Sequence, residues 1–458
     1  MPDFLRSVPL VGTQATVVFL IVGLICLLAL SRQMLWRPGT TRRRRLTVLC
    51  TVAAVTVIVC AALLVYVVVG IDVGLSEIPP AALAGGVLTV VAVVTVVTGF
   101  VGWMRQDRGT RGTLRPVRSS VLVGGVLLTS VLLLNVAFNL YPEVGSLRPG
   151  KAYEETDASD LPRAVGSDGT VSVTDWQDQD EHTYQGGTQP KYGSVVTMPV
   201  PTPASGFAAR DAQVYLPPAW FSEPRPALPV LVLMAGIPGA PSQWFGSGRV
   251  GDVAHRYQRT HGGLSPVVAV VDATGSTWGN PVCTDSPTAK VQTFLSKDVP
   301  SWLVGRFDAD PDQSHWAIGG LSYGGTCALQ VVANAPEAYG MFLDFSGERR
   351  PTAADGSHET TVREFYGGSQ VAFAAANPED LFHAHASDGR YADVVGWFIA
   401  GKRDSSVRND LSALADAAQA AGVDVTVQTV PGAHDFGTWR EAIRRAFPAV
   451  AEHAGLAG

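Results

Sequence analysis

At 458 residues the chain exceeds the usual size of one domain, so two or more structural units are expected. Only 16% of residues are charged, and the apolar content is concentrated in the first third of the chain, which sets that part apart from the balanced remainder. The net charge is −6 and the C-terminal half carries no lysine- or arginine-rich stripe, which argues against nucleic acid as a partner.

Four apolar runs come first, at about 11–30, 46–70, 81–103 and 119–141. Each approaches or exceeds the roughly 20 residues that carry a helix across a bilayer. None has Lys, Arg, Asp or Glu in its interior, where such a residue costs at least ~2.5 kcal/mol. The first run is expected to be retained rather than cleaved: only Arg6 precedes it, no A-x-A site follows, and three further runs come after. Arg32, Arg37 and Arg42–Arg45 occupy the first connection; Arg105, Arg108, Arg111, Arg115 and Arg118 occupy the third. The second holds Asp72 and Glu77 and no basic residue. Positive-inside counting then places connections one and three in the cytoplasm. The N-terminus and everything beyond Tyr141 fall outside, in a multi-pass protein of the cell membrane. The spans lack the buried acidic or histidine residues of a proton relay, so anchoring is their expected role.

Residues 142–191 turn polar, with Glu154, Glu155, Asp157, Asp160 and a run of acidic residues from Asp175 to Glu181, and are expected to form a partly ordered tether. Trp176 and Tyr184 are the side chains available to pin it. The domain proper is expected over 192–458. Apolar strands are read at 194–200, 213–216, 229–234, 266–271, 315–319, 394–400 and 423–429. Helical patterns fall at 302–307, 326–335, 410–421 and 438–447. Apolar strands alternating with helices predict an α/β fold, a mostly parallel sheet covered on both faces.

The stretch Gly320-Leu321-Ser322-Tyr323-Gly324 lies between one such strand and one such helix, the context that makes G-x-S-x-G a nucleophile elbow. A hydroxyl nucleophile then needs an imidazole, a carboxylate to orient it, and two oxyanion donors. In α/β-hydrolases the chain order is Ser, then Asp or Glu, then His. His434 follows the last strand and is the expected base. Asp404 follows the penultimate strand and is the expected acid; Asp410 is the runner-up, expected instead to open the next helix as a cap. Asp435 adjoins the histidine and is too close in sequence to orient it easily. The amide of Tyr323 and that of Ile237, in the loop Ala235-Gly236-Ile237-Pro238-Gly239, are the expected oxyanion donors. His261-Gly262-Gly263 imitates a lipase oxyanion motif but precedes a strand.

Several ordered motifs now converge. Val214-Tyr215-Leu216-Pro217-Pro218, Leu233-Met234-Ala235-Gly236 with Trp244, the stretch from Thr293 to Leu303, the elbow, Gly401-Lys402-Arg403-Asp404, and Pro431 to Phe436 with Trp439 together resemble the esterase family. That family includes esterase D, the feruloyl esterases and the mycolyltransferases of the antigen 85 type. The resemblance covers about 192–450. It implies an α/β-hydrolase fold with Ser322 as nucleophile, Asp404 as orienting acid, His434 as base, and the Ile237 and Tyr323 amides as oxyanion hole. Ala235 departs from the histidine or aspartate often found before that glycine. An aspartate at 404, where the mycolyltransferases generally use glutamate, tilts the expectation towards hydrolysis.

Cys283 and Cys327 are the two cysteines of the expected exported domain. An oxidising compartment favours a bridge that pins the Cys283 loop beside the site; the alternative is two buried thiols. Residues 346–391 interrupt the alternation and are expected to cover the pocket, with Phe365, Tyr366 and Phe373 lining it or forming a small core of their own. His383 and His385 lack a third ligand at supporting spacing, and no metal or cofactor is expected. The expectation is a membrane-anchored serine esterase whose substrate is a carboxylic ester at the bilayer surface, with a lipid-linked ester a natural guess. Acyl transfer to a sugar or glycolipid is the alternative, and a non-catalytic membrane protein retaining the fold is a further one.

Overall fold

The computed structural model describes residues 3–35, 41–65, 80–104, 116–147, 152–184, 187–354 and 356–456. The chain divides into two compact units, Met1–Pro149 and Gly150–Gly458. In the first unit, α1 (Thr13–Leu35), α2 (Arg42–Val65), α3 (Pro80–Met104) and α4 (Pro116–Phe138) are each long and apolar enough to cross a membrane. Side chains such as Val57, Ile58, Val121 and Leu128 point outward, an arrangement that suits lipid as solvent. Inside the bundle the polar atoms find each other: Thr89 donates to Ser130 (2.8 Å) and Gln33 to Ser119 (2.8 Å). The Asn135 amide donates to the Leu10 and Tyr141 carbonyls and accepts from the Tyr141 amide, closing α4 three residues before the expected end of its span. Residues 66–70 of the second expected span lie outside the described residues.

The second unit is built on a nine-stranded sheet. Its strands are β1 (Tyr153–Glu155), β2 (Gly193–Met198), β3 (Ala212–Leu216), β4 (Val230–Met234), β5 (Val267–Val271), β6 (Ala317–Leu321), β7 (Met341–Phe345), β8 (Val395–Gly401) and β9 (Asp424–Val430). The spatial order is β1-β2-β3-β5-β4-β6-β7-β8-β9, with only β3 antiparallel to its neighbours. β4 (Val-Leu-Val-Leu-Met) and β5 (Val-Val-Ala-Val-Val) are buried at every residue. β-branched and apolar side chains on both faces belong to a parallel sheet covered on both sides. The covering helices include α5 (Val250–Gln258), α6 (Val299–Phe307), α7 (Tyr323–Asn334), α8 (His358–Phe365), α9 (Pro378–Ala384), α10 (Ser405–Ala420) and α11 (Phe436–His453). This is the α/β-hydrolase architecture.

Three readings from sequence are refined or corrected. Residues 152–184, expected as a partly ordered tether that Trp176 and Tyr184 could pin, carry regular pairing: β1 pairs with β2, Thr170–Val171 with Arg225–Pro226, and Thr183–Tyr184 with Ser222–Glu223. Trp176 is 2% exposed and donates to Ser222 (2.7 Å), so one large apolar anchor outweighs the polar residues around it. β7 was absent from the predicted strands, because Asp344 breaks an otherwise apolar run. Asp410 lies inside α10, which begins at Ser405, rather than capping it.

Candidate active site

β6 delivers Ser322 at its carboxyl end, and Ser322 takes the left-handed φ of 54° with ψ −125° before α7 begins. A residue other than glycine is strained there, a conformation that clusters at functional turns. The turn closes because neither flank carries a Cβ: one on Gly320 would meet the backbone of Gly324, and one on Gly324 would meet the Met234 and Ala235 carbonyls. The Ser322 amide is fixed to the Phe345 carbonyl on β7 (2.8 Å).

β8 ends at Gly401 and β9 at Val430, side by side and parallel. The loops that leave them are tied together: the Lys402 amide donates to Val430 (2.7 Å) and the Arg403 amide to Gly432 (2.9 Å). Asp404 and His434 are thereby brought into register. His434 Nδ1 lies 2.8 Å from Asp404 Oδ2, and His434 Nε2 lies 3.0 Å from Ser322 Oγ. The carboxylate side chain is 9% exposed while the imidazole is 42% exposed, so the carboxylate is sheltered and the imidazole is reachable. Trp439 packs edge-on to the imidazole at 5.2 Å. Asp435 accepts from the Gly437 and Thr438 amides and caps α11.

The loop after β4 meets the elbow directly. A Cβ on Gly236 would stand 3.1 Å from Ser322 Cβ, so any larger residue would crowd the elbow where the backbone before Ile237 comes near it. Tyr323 is the first residue of α7, where an amide has no acceptor within its own helix. Tyr323 thus follows Ser322 directly, and Gly236, one residue before Ile237, stands beside it.

Cys283 and Cys327 are joined, with Cα atoms 5.3 Å apart. Cys327 lies one turn into α7, so the bond fastens the loop after β5 to the helix of the elbow. The 346–391 excursion reaches the same loop through Asn280, which donates to the Thr352 carbonyl (2.9 Å). Within the excursion Val362, Tyr366 and Phe373 form a small core, with Phe365 packed on it, rather than an open lining. His385 pairs with Asp388 (2.6 Å), and no group of three or more metal-ligating side chains occurs among the described residues.

Two features escaped the sequence reading. Asp344 on β7 is fully buried beside the elbow; burial pushes its carboxyl up to about 7, opposed by the Gly347 amide and assisted by the Glu348 charge. Arg210 and Asp272 form a paired network at the ends of β3 and β5. The signal for Asp272 was one carboxylate closing an all-apolar strand.

The Esterase family model matches residues 208–450. A protein of Corynebacterium glutamicum described as uncharacterized is 43% identical over 336 residues, which cover 72% of this chain and 74% of its own. The chain belongs to the esterase family of α/β-hydrolases. Among solved structures, a ferulic acid esterase is 20% identical with a TM-score of 0.47, covering 57% of this chain and 99% of its own. An S-formylglutathione hydrolase from Agrobacterium tumefaciens gives 16% and 0.45, over 57% and 99% of the two chains. MPT51 of Mycobacterium tuberculosis gives 16% and 0.42, over 56% and 97%.

Proposed function

We propose that this protein is a membrane-anchored serine hydrolase that cleaves a carboxylic ester on the extracytoplasmic side of the membrane. The observation that carries the reading is the continuous row Ser322 Oγ, His434 imidazole, Asp404 carboxylate, at 3.0 and 2.8 Å. Ser322 Oγ attacks the ester carbonyl carbon while His434 Nε2 takes its proton. Asp404 holds the Nδ1 proton and stabilises the imidazolium that forms. Negative charge gathers on the former carbonyl oxygen, where the amides of Ile237 and Tyr323 donate to it; one such donor contributes about 2.7–4 kcal/mol. Collapse expels the alcohol, protonated by His434, and water repeats the sequence on the acyl-enzyme.

The four apolar helices and their arginine-flanked connections support an anchor with the hydrolase unit outside. An ester at the outer leaflet, including one on a lipid or another envelope component, is the substrate class such tethering favours. The test is hydrolysis of p-nitrophenyl acetate, butyrate and palmitate by the full chain in detergent, with and without Ser322→Ala. Turnover by wild type that disappears in the variant supports the reading; equal rates in both refute it. The same assay with added trehalose or glycerol separates water from sugar or glycolipid as acceptor, because acyl transfer leaves an acylated polyol in the products.

A further inference from the structure

Arg210 stands just before β3 and Asp272 just after β5, and neither belongs to the triad. Four of the five guanidinium N–H groups are used. Its Nε donates to Asp272 Oδ2 (2.9 Å) and one terminal nitrogen to Asp272 Oδ1 (2.7 Å) and Thr274 Oγ1 (2.9 Å). The Arg210 backbone amide adds a further bond to Asp272 Oδ2 (2.9 Å). Asp272 is 1% exposed at its side chain, so this carboxylate depends on a cation with matching fork geometry. That much would suit a purely structural pair.

The remaining nitrogen does something else. It donates to the carbonyl of Gly239 (2.9 Å), the last residue of the turn that begins at Gly236 and contains the Ile237 amide. The Gly239 amide in turn donates to the Thr277 carbonyl (3.0 Å), in the segment that Asp272 and Thr274 organise. Both faces of Gly239 are thus held by one network. The turn itself is closed tightly, since a Cβ on Gly239 would collide with the Gly236 carbonyl and crowd Ala235. Its other end, Gly236, rests against Ser322.

We propose that Arg210 and Asp272 are positioning residues for the oxyanion hole: they fix the turn that aims the Ile237 amide at the developing negative charge. The inference rests on the serine-hydrolase reading above. An amide aimed in advance stabilises the transition state without reorganisation, so a loosened turn lowers kcat and leaves ground-state binding alone. Arg210→Lys keeps a cation for Asp272 but cannot span Asp272 and Gly239 at once.

The experiment compares wild type, Arg210→Lys and Asp272→Asn in ester hydrolysis and in affinity for a trifluoromethyl ketone, whose hemiketal oxygen occupies the oxyanion site. The expected result for Arg210→Lys is a kcat about 10- to 100-fold lower, a KM within about twofold, and ketone affinity weakened by a similar factor. The thermal midpoint should stay close to that of wild type. An unchanged kcat in Arg210→Lys overturns the inference, as does a lower kcat with undiminished ketone affinity. Asp272→Asn should show the same pattern in whatever fraction folds, and Arg210→Lys decides the matter if it does not fold. A wild type inert towards both esters and ketone would instead refute the triad reading, and this inference with it.

Discussion

Replacing Cys283 and Cys327 by alanine together should cost the hydrolase unit a large part of its stability. The bond closes a loop with a sequence separation of 44 residues. In the chain-entropy treatment such a loop removes about 13 cal/mol/K from the unfolded ensemble, or ~4 kcal/mol at 25 °C. The loop contains the elbow, so the same cross-link limits how far Ser322 can depart from the β5 loop. Both residues are almost fully buried, and each alanine adds a small packing loss. At roughly 2–4 °C per kcal/mol, the midpoint should fall on the order of 10 °C. Tryptophan fluorescence during thermal unfolding in detergent reads this unit, because all tryptophans except Trp36 and Trp103 lie in it. Wild type treated with reductant under unfolding conditions should approach the variant. A midpoint unchanged in the double variant, or five rather than three thiols open to alkylation in unreduced unfolded wild type, would refute the reasoning.

Other perturbations follow from the same contacts. Asp404→Asn should lower kcat by about three to four orders of magnitude with KM nearly unchanged, since the wrong imidazole tautomer then faces Ser322; single-turnover kinetics read this directly. Trp176→Ala should destabilise the unit by about 3–5 kcal/mol and expose 152–184 to limited proteolysis, whereas a loose tether would be cut equally in both proteins. Asp344 gives a pH signature. Its raised folded value means that the folded chain keeps a proton which the unfolded chain releases near 3.8, so stability contributed by this group falls as pH rises from about 4 to about 7. Asp344→Asn should flatten that slope in thermal midpoints; an identical slope in both proteins would show that Asp344 is ionised throughout.

Much of this fold is legible because its strands are apolar on both faces and its turns carry diagnostic residues. β4 and β5 are unbroken apolar runs, and Gly320 and Gly324 announce the elbow. Asp404 and His434 could be placed because each follows a strand that the pattern reveals. β7 could not, since Asp344 replaces an apolar residue at a site where only the fold supplies burial. The start of α10 was misplaced because Asp410 is a good capping residue type, while the helix is set by the strand end at Gly401. Arg210 gave no local signal at all: its partners Gly239, Asp272 and Thr274 come together only when β3, β5 and β4 lie side by side.

The most direct test of the central claim is fluorophosphonate labelling of the full chain in membranes, comparing wild type with Ser322→Ala and His434→Ala and using a membrane-impermeant probe on intact cells. The account predicts labelling of wild type from outside, none of Ser322→Ala, and strongly slowed labelling of His434→Ala. Folded wild type that never labels would contradict the triad, and labelling that appears only after lysis would contradict the extracytoplasmic placement.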